Sequence, residues 1–123
     1  MFSRAAVDLS LETELIGPAQ YAIALTGEVD LYTCPEFKEE LLRVADEGAV
    51  HVVVDLTQTT FIDSTGLGVL LRGVERLRRR EGGRLSVVCT DANMRRIFEL
   101  TGLDRIFGVY ASRSEALAAA ASA

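Results

Sequence analysis

Apolar and polar positions alternate on both sides of a Gly17-Pro18 break, with Val7, Leu9 and Leu11 before it and Tyr21, Ile23 and Leu25 after it. A period of two flanking a turn signal predicts two strands of an antiparallel hairpin. Thr33-Cys34-Pro35-Glu36 has capping-box spacing with an early proline, so a helix is expected from there to about Asp46. Phe37, Leu41, Leu42 and Val44 or Ala45 would face the core, with Gly48 as the stop. Residues 50–56 form a nearly continuous β-branched run, the pattern of a strand buried on both faces and hence of a sheet centre.

From Leu67 the period changes. Leu67, Leu70, Leu71, Val74 and Leu77 recur at helical spacing until Gly82-Gly83, predicting a helix with one stripe on the sheet. Leu85, Val87, Val88 and Cys89 read as another strand, and Asp91 as the cap of a short helix reaching about Leu100 and closed by Thr101-Gly102. Ile106 to Tyr110 predict a last strand, and Ser112-Arg113-Ser114-Glu115 a second capping box opening an Ala-rich helix. The order is ββαβαβαβα: an α/β fold in which a hairpin is followed by strand–helix units, giving one mixed sheet packed by four helices. No linker or internal repeat divides the 123 residues, so one domain covering 1–123 is expected.

Composition narrows the function classes. With 49% hydrophobic and 25% charged residues the chain reads as an ordinary globular domain. A net charge of −5 argues against general nucleic-acid binding, and no apolar run approaches the length of a membrane span. The expectation is a soluble, cytoplasmic protein without nucleic-acid or membrane partners. Cys34 and Cys89 lack a CxxC partner or a nearby histidine, which points to reduced thiols and not to a metal site or disulfide framework. Charge is unevenly spread: residues 1–60 carry eleven acids against three bases, and the later half has an arginine cluster from Arg72 to Arg84. Such a run reads first as a helix's solvated face and C-terminal end, and secondly as a docking surface.

Chemistry concentrates in Asp63-Ser64-Thr65-Gly66-Leu67-Gly68, between the most hydrophobic strand and the clearest helix. A βα junction at the carboxyl end of a strand is where α/β proteins present functional groups. Asp63 or Ser64 is the natural N-cap, while Gly66 and Gly68 weaken the first turn by roughly 1 kcal/mol each relative to alanine and permit close approach. Ser64 is no hydrolase nucleophile by pattern, since the turn lacks GxSxG, and the single histidine, His51, lies in the β-branched strand. Neither a P-loop nor a GxGxxG fingerprint is present, and the aspartic-protease-like Asp63-Ser64-Thr65-Gly66 has no paired carboxylate motif. No cofactor or catalytic role is expected.

Asp63-Ser64-Thr65-Gly66-Leu67-Gly68, preceded by Gly27-Glu28-Val29-Asp30 and followed by Thr101-Gly102-Leu103, resembles the anti-sigma factor antagonists of the STAS domain superfamily over nearly the whole chain. The resemblance implies a STAS-type fold. It also implies binding, in the unphosphorylated form, to an anti-sigma factor that is a serine kinase, with release of a sigma factor. Phosphorylation of Ser64 would switch the protein off and a PP2C-type phosphatase would restore it. Asp30, Asp63, Ser64, Thr65, Gly66 and Leu67 would come to the partner-facing surface. The alternative within the superfamily is a docking module of a signalling scaffold or lipid transporter without a phospho-switch. Glu28, Asp30, Glu36, Glu39 and Glu40 suggest an acidic face that would meet basic residues of a partner.

Overall fold

The structure, a computed structural model, describes residues 9–121; Val7, expected in the first strand, lies outside the described residues. Strands β1 (Ser10–Gly17) and β2 (Gln20–Val29) form the antiparallel hairpin, joined by Pro18-Ala19. Proline pre-sets the first turn position, and Ala19 takes a left-handed φ of 56° at the second. Helix α1 (Cys34–Asp46) leads to β3 (His51–Ile62), α2 (Ser64–Leu77) and β4 (Arg84–Val88). Helix α3 (Ala92–Thr101), a 3-10 turn at Leu103–Arg105, β5 (Gly108–Tyr110) and α4 (Arg113–Ala121) complete the chain. The five strands stand in sequence order, β1 antiparallel to β2 and the rest parallel, so the ββαβαβαβα order and the mixed sheet are as expected.

The two faces of the sheet are covered unequally. Ile23, Leu25, Val52, Val54, Leu56 and Val87 pack beneath α1, α2 and α3, whose Phe37, Leu41, Leu70, Val74, Leu77 and Phe98 complete the main core. Phe98 meets Phe107 edge to face at 5.5 Å between ring centres. Helices α1 and α2 approach closely at Gly73, where a Cβ would stand 2.5 Å from Leu41 Cδ2. On the opposite face α4 is the one helix that packs among the described residues, and there a small cluster joins Ala22, Val53, Val88 and Ala116. Arg113 at the start of α4 ties it down, with Nε 2.8 Å from Asp55 Oδ2 and a guanidinium nitrogen 3.3 Å from Glu14.

Several expectations change in detail. Strand β3 runs on to Ile62, past the apolar run, because Gln58, Thr59, Phe61 and Ile62 pair with β2 although β4 stops opposite Asp55. The last strand is shorter than expected, because Ile106 and Phe107 belong to the turn that follows the 3-10 segment, where their amides bond to Leu103 O. Thr33 does not cap α1 with its side chain; its hydroxyl donates to Glu28 O at 2.7 Å. Leu42 is only half-buried. The arginine cluster braces helix ends: Arg80 donates to Ala45 O and Ala49 O behind α1, Arg76 pairs with Asp46 at 2.7 Å, and Arg78 reaches Ile106 O.

His51 is 2% exposed, with Nε2 2.8 Å from Ser86 Oγ. Burial, aided by the Arg84 charge, lowers its pKa from 6.5 to about 4. The unfolded chain therefore takes up a proton between those values that the native state refuses. The corresponding stability is complete above pH 6.5 and lost as pH falls towards 4, up to about 3 kcal/mol. Asp55, whose pKa is lowered by its Thr57 and Arg113 partners against the effect of burial, acts in a lower window, below the ordinary carboxylate value of 3.8. Urea midpoints measured from pH 7.0 to 4.5 will fall in the wild type and stay nearly flat in His51→Gln, which keeps an acceptor for Ser86. Parallel profiles would show that His51 is not the group responsible.

Candidate functional site

Pairing of Val29 with Ile62 brings the ends of β2 and β3 to one level, and Asp63 N–H donates to Val29 O at 3.1 Å. Asp30 and Asp63 therefore leave adjacent strands side by side. Asp63 is the N-cap of α2, in extended conformation at φ −107° and ψ −173°. Its Oδ1 accepts from Thr65 N at 3.0 Å, from Gly66 N at 3.2 Å and from the Thr65 hydroxyl. Helix ends leave amides without intrahelical partners, and a carboxylate here satisfies them while meeting the positive end of the helix dipole.

Behind the cap, the Cys34 thiol donates to Thr65 Oγ1 at 3.6 Å, so a relay runs from thiol to hydroxyl to carboxylate. Burial raises the Cys34 pKa, with Asp63 and Asp30 acting in the same direction and the Thr65 contact opposing them. The thiol is a protonated donor at neutral pH. Asp30 organises the facing loop, its Oδ1 accepting from Tyr32 N at 2.9 Å and Thr33 N at 3.1 Å, while Asp30 N donates to Thr33 Oγ1.

The six residues expected at the surface are brought together but differ in exposure. Ser64, the first residue of α2, is exposed; Asp30, Asp63, Thr65 and Leu67 are half-buried. Gly66, expected on the partner-facing surface, is instead buried. Its hydrogens face Ile62 and Val29, where an added Cβ would stand 2.6 Å from Ile62 Cγ1 and 2.8 Å from Val29 Cγ1, so its role is to seat the helix on the strand ends. Gly68 has open space around it. His51, at the other end of β3, stands far from the Ser64 hydroxyl, roughly 36 Å along an extended strand of this length.

Sequence reasoning passed over the apolar side chains around the turn. Tyr32 is 73% exposed, Leu31 63% and Phe61 48%, and Ile97 borders a small groove with Phe61, Asp91 and Met94. Leu31 and Tyr32 break the alternation of β2 immediately after Asp30, the one signal that marked them. The acidic face is narrower than expected, because Glu40 is held by Arg43 at 2.8 and 2.9 Å, an interaction that lowers the Glu40 pKa.

Replacing Asp63 by alanine removes the acceptor for three donors and will destabilise the fold by about 1–2 kcal/mol, whereas Asp63→Asn will cost less because an amide oxygen still caps. Gly66→Ala will destabilise by about 1–3 kcal/mol through overpacking, its gain in helix propensity notwithstanding. Chemical unfolding of the three variants tests both statements; an Asp63→Ala midpoint equal to wild type would remove the cap from the account.

Comparison with known proteins agrees with this arrangement. The STAS domain family model matches residues 11–116. An anti-sigma-B factor antagonist of Listeria monocytogenes is 32% identical over 103 residues, covering 84% of this chain and 90% of the relative. That of Bacillus subtilis is 33% identical over 89 residues, covering 72% and 80%. A crystal structure of an anti-sigma factor antagonist from Mycobacterium paratuberculosis superimposes with a TM-score of 0.83 at 28% identity, over 91% of this chain and 93% of that one. With its hairpin-led mixed sheet and its Asp63-capped βα turn, the chain belongs to the STAS domain family.

Proposed function

We propose that this protein is an anti-sigma factor antagonist, which binds an anti-sigma factor with serine kinase activity while Ser64 is unphosphorylated and thereby frees a sigma factor. Phosphorylation of Ser64 by that kinase ends the interaction, and a PP2C-type phosphatase reverses it, all in the cytoplasm. The similarity to proteins named as anti-sigma-B factor antagonists supports the general role. The observation that carries the switch is the placement of Ser64: an exposed hydroxyl at the first position of α2, directly after a cap that does not use it.

That position separates two consequences of phosphorylation. The modification adds about −1.5 to −2 charge at neutral pH, and at a helix start this charge meets the positive dipole end. Asp63 already satisfies the Thr65 and Gly66 amides, so a phosphate on Ser64 replaces no internal bond and the fold persists. The partner meets a different object. Leu31, Tyr32 and Phe61 offer apolar contact beside the turn, and exposed aromatic side chains flanked by Asp30 and Asp63 suit an apolar site rimmed by Arg or Lys. A dianion trapped in such an interface without its own cation costs several kcal/mol, and about 1.4 kcal/mol is a factor of ten in affinity. Ser64 is thus a substrate for a partner's catalysis and acts in this chain as a reporter of charge.

Ser64→Ala will bind the kinase within about threefold of wild type, and Ser64→Glu about 100-fold more weakly, with far-UV circular dichroism unchanged in both. Equal binding by the two variants would sink the switch. Tyr32→Ala, at an exposed position, will weaken binding about tenfold without moving the unfolding midpoint. Incubation of the chain with candidate kinases and ATP, followed by mapping of the phosphate, separates this role from that of a docking module: phosphate on Ser64 supports it, and stable binding with no phosphate incorporated favours the other.

A further inference from the structure

Helix α2 contains three glycines, at 66, 68 and 73, although glycine is the weakest helix former after proline. Two of them are required by the packing of the chain itself. A Cβ at Gly66 would stand 2.6 Å from Ile62 Cγ1, and one at Gly73 would stand 2.5 Å from Leu41 Cδ2. Gly68 is different. Beyond the helix's own backbone and its two chain neighbours, a Cβ there would meet nothing within 4 Å among the described residues, and its φ is not positive. Alanine at this position would fit the isolated chain and strengthen the helix, so the fold supplies no reason for the glycine.

The position of Gly68 supplies one. It stands one turn after Ser64, about 6 Å along the axis at 1.5 Å per residue. Residues four apart share a helix face, and this face continues to the exposed Arg72. The half-buried Leu67 and Leu71 border Gly68 on one side and Thr65 borders it on the other. The missing side chain leaves a notch floored by main chain, with an apolar flank and with Ser64 at one end. A side chain at 68 would lean back over the turn that carries Ser64. A protein that phosphorylates Ser64 covers this notch, because a standard interface hides about 800 Å² per partner, a patch roughly 16 Å in radius.

We propose that the kinase seats an apolar side chain on the α2 backbone at Gly68, against Leu67 and Leu71. The inference rests on the proposed role of Ser64 as that kinase's substrate, and it adds a residue that decides which kinase is admitted. Glycine lets a partner touch main chain that any Cβ would hold at a distance. Bulk at 68 excludes the partner by shape while leaving the Ser64 hydroxyl and its cap intact. Helix stability and access to the partner therefore pull in opposite directions at this one position.

The test uses the full 123-residue chain and the serine kinase that places phosphate on Ser64 in the incubation described above. Gly68→Ala, Gly68→Leu and, on the opposite face of the sheet, Ala118→Leu are compared with wild type by urea unfolding, equilibrium binding and steady-state phosphorylation. Gly68→Ala is expected to raise the urea midpoint and yet weaken the complex about tenfold, and Gly68→Leu to weaken it about 100-fold, with far-UV circular dichroism unchanged. The loss in phosphorylation is expected in KM, with kcat within about threefold of wild type, since bulk at 68 obstructs docking and does not alter the acceptor. Ala118→Leu is expected to bind as wild type. Opposite signs for stability and binding mark a contact residue, because a structural defect lowers both. Binding by both Gly68 variants equal to wild type, a loss shared equally by Ala118→Leu, or a loss that follows a lowered midpoint in both Gly68 variants would each overturn the inference and leave the phospho-switch standing. Absence of binding and of Ser64 phosphate in the wild type with every candidate kinase overturns the proposed function, and this inference with it.

Discussion

One carboxylate oxygen, Asp63 Oδ1, holds the carboxyl end of the central strands together. It closes the first turn of α2, fixes the Thr65 hydroxyl and through it the Cys34 thiol of α1, while the Asp63 amide is bonded to Val29 at the end of β2. Three elements thereby share a single anchor. Gly66 lets that anchor work, because only a residue without a Cβ allows the helix start to rest against Ile62 and Val29. Ser64 is left outside this network, presented by a rigid turn and contributing nothing to its rigidity. On the proposed role, in which Ser64 is phosphorylated and restored, the fold does not depend on the residue that changes.

A second organising contrast runs along the sheet. Its carboxyl end combines acidic caps with exposed Leu31, Tyr32 and Phe61, while its amino end beneath α4 combines Arg84 with a buried imidazole. The faces differ as well, one carrying three helices over a large apolar cluster and the other a single alanine-rich helix that buries only Ala116 and is clamped at its start by Arg113. Hydrophobic burial is extensive on the first face, and on the second a smaller apolar cluster is accompanied by the Arg113 pairs.

Much of this was legible from residue order. Period-two alternation around Gly17-Pro18, the helical stripe after Leu67 and the caps at Asp63, Asp91 and Ser112 all correspond to elements of the fold. The outer part of β3 was not, because Thr57 to Thr60 carry no apolar signal and the stretch is strand only because Gln58 and Thr59 pair with β2. The capping box at Thr33 failed for a physical reason: Asp30 lies three residues earlier and takes the Thr33 amide, and the threonine hydroxyl turns back to Glu28. Within the site, residue types located Asp63 and Ser64, but exposure is a tertiary property. The resemblance implies a partner-facing Gly66, which is buried, and Tyr32, which drew no reading from the sequence, is exposed.

The unequal lengths of β3 and β4 carry one more implication. Beyond Asp55, β3 has β2 on one side and, among the described residues, no strand on the other, so the segment leading to Ser64 presents a main-chain edge not paired by a described strand. Such an edge invites another chain to add a strand, which makes it a hazard for self-association at high concentration. The irregularities between Ala24 and Thr26 and between Gly27 and Glu28 bend and twist this stretch. A contorted edge is a poor template for a second copy, and the same contortion leaves the approach to Ser64 open to a partner of complementary shape.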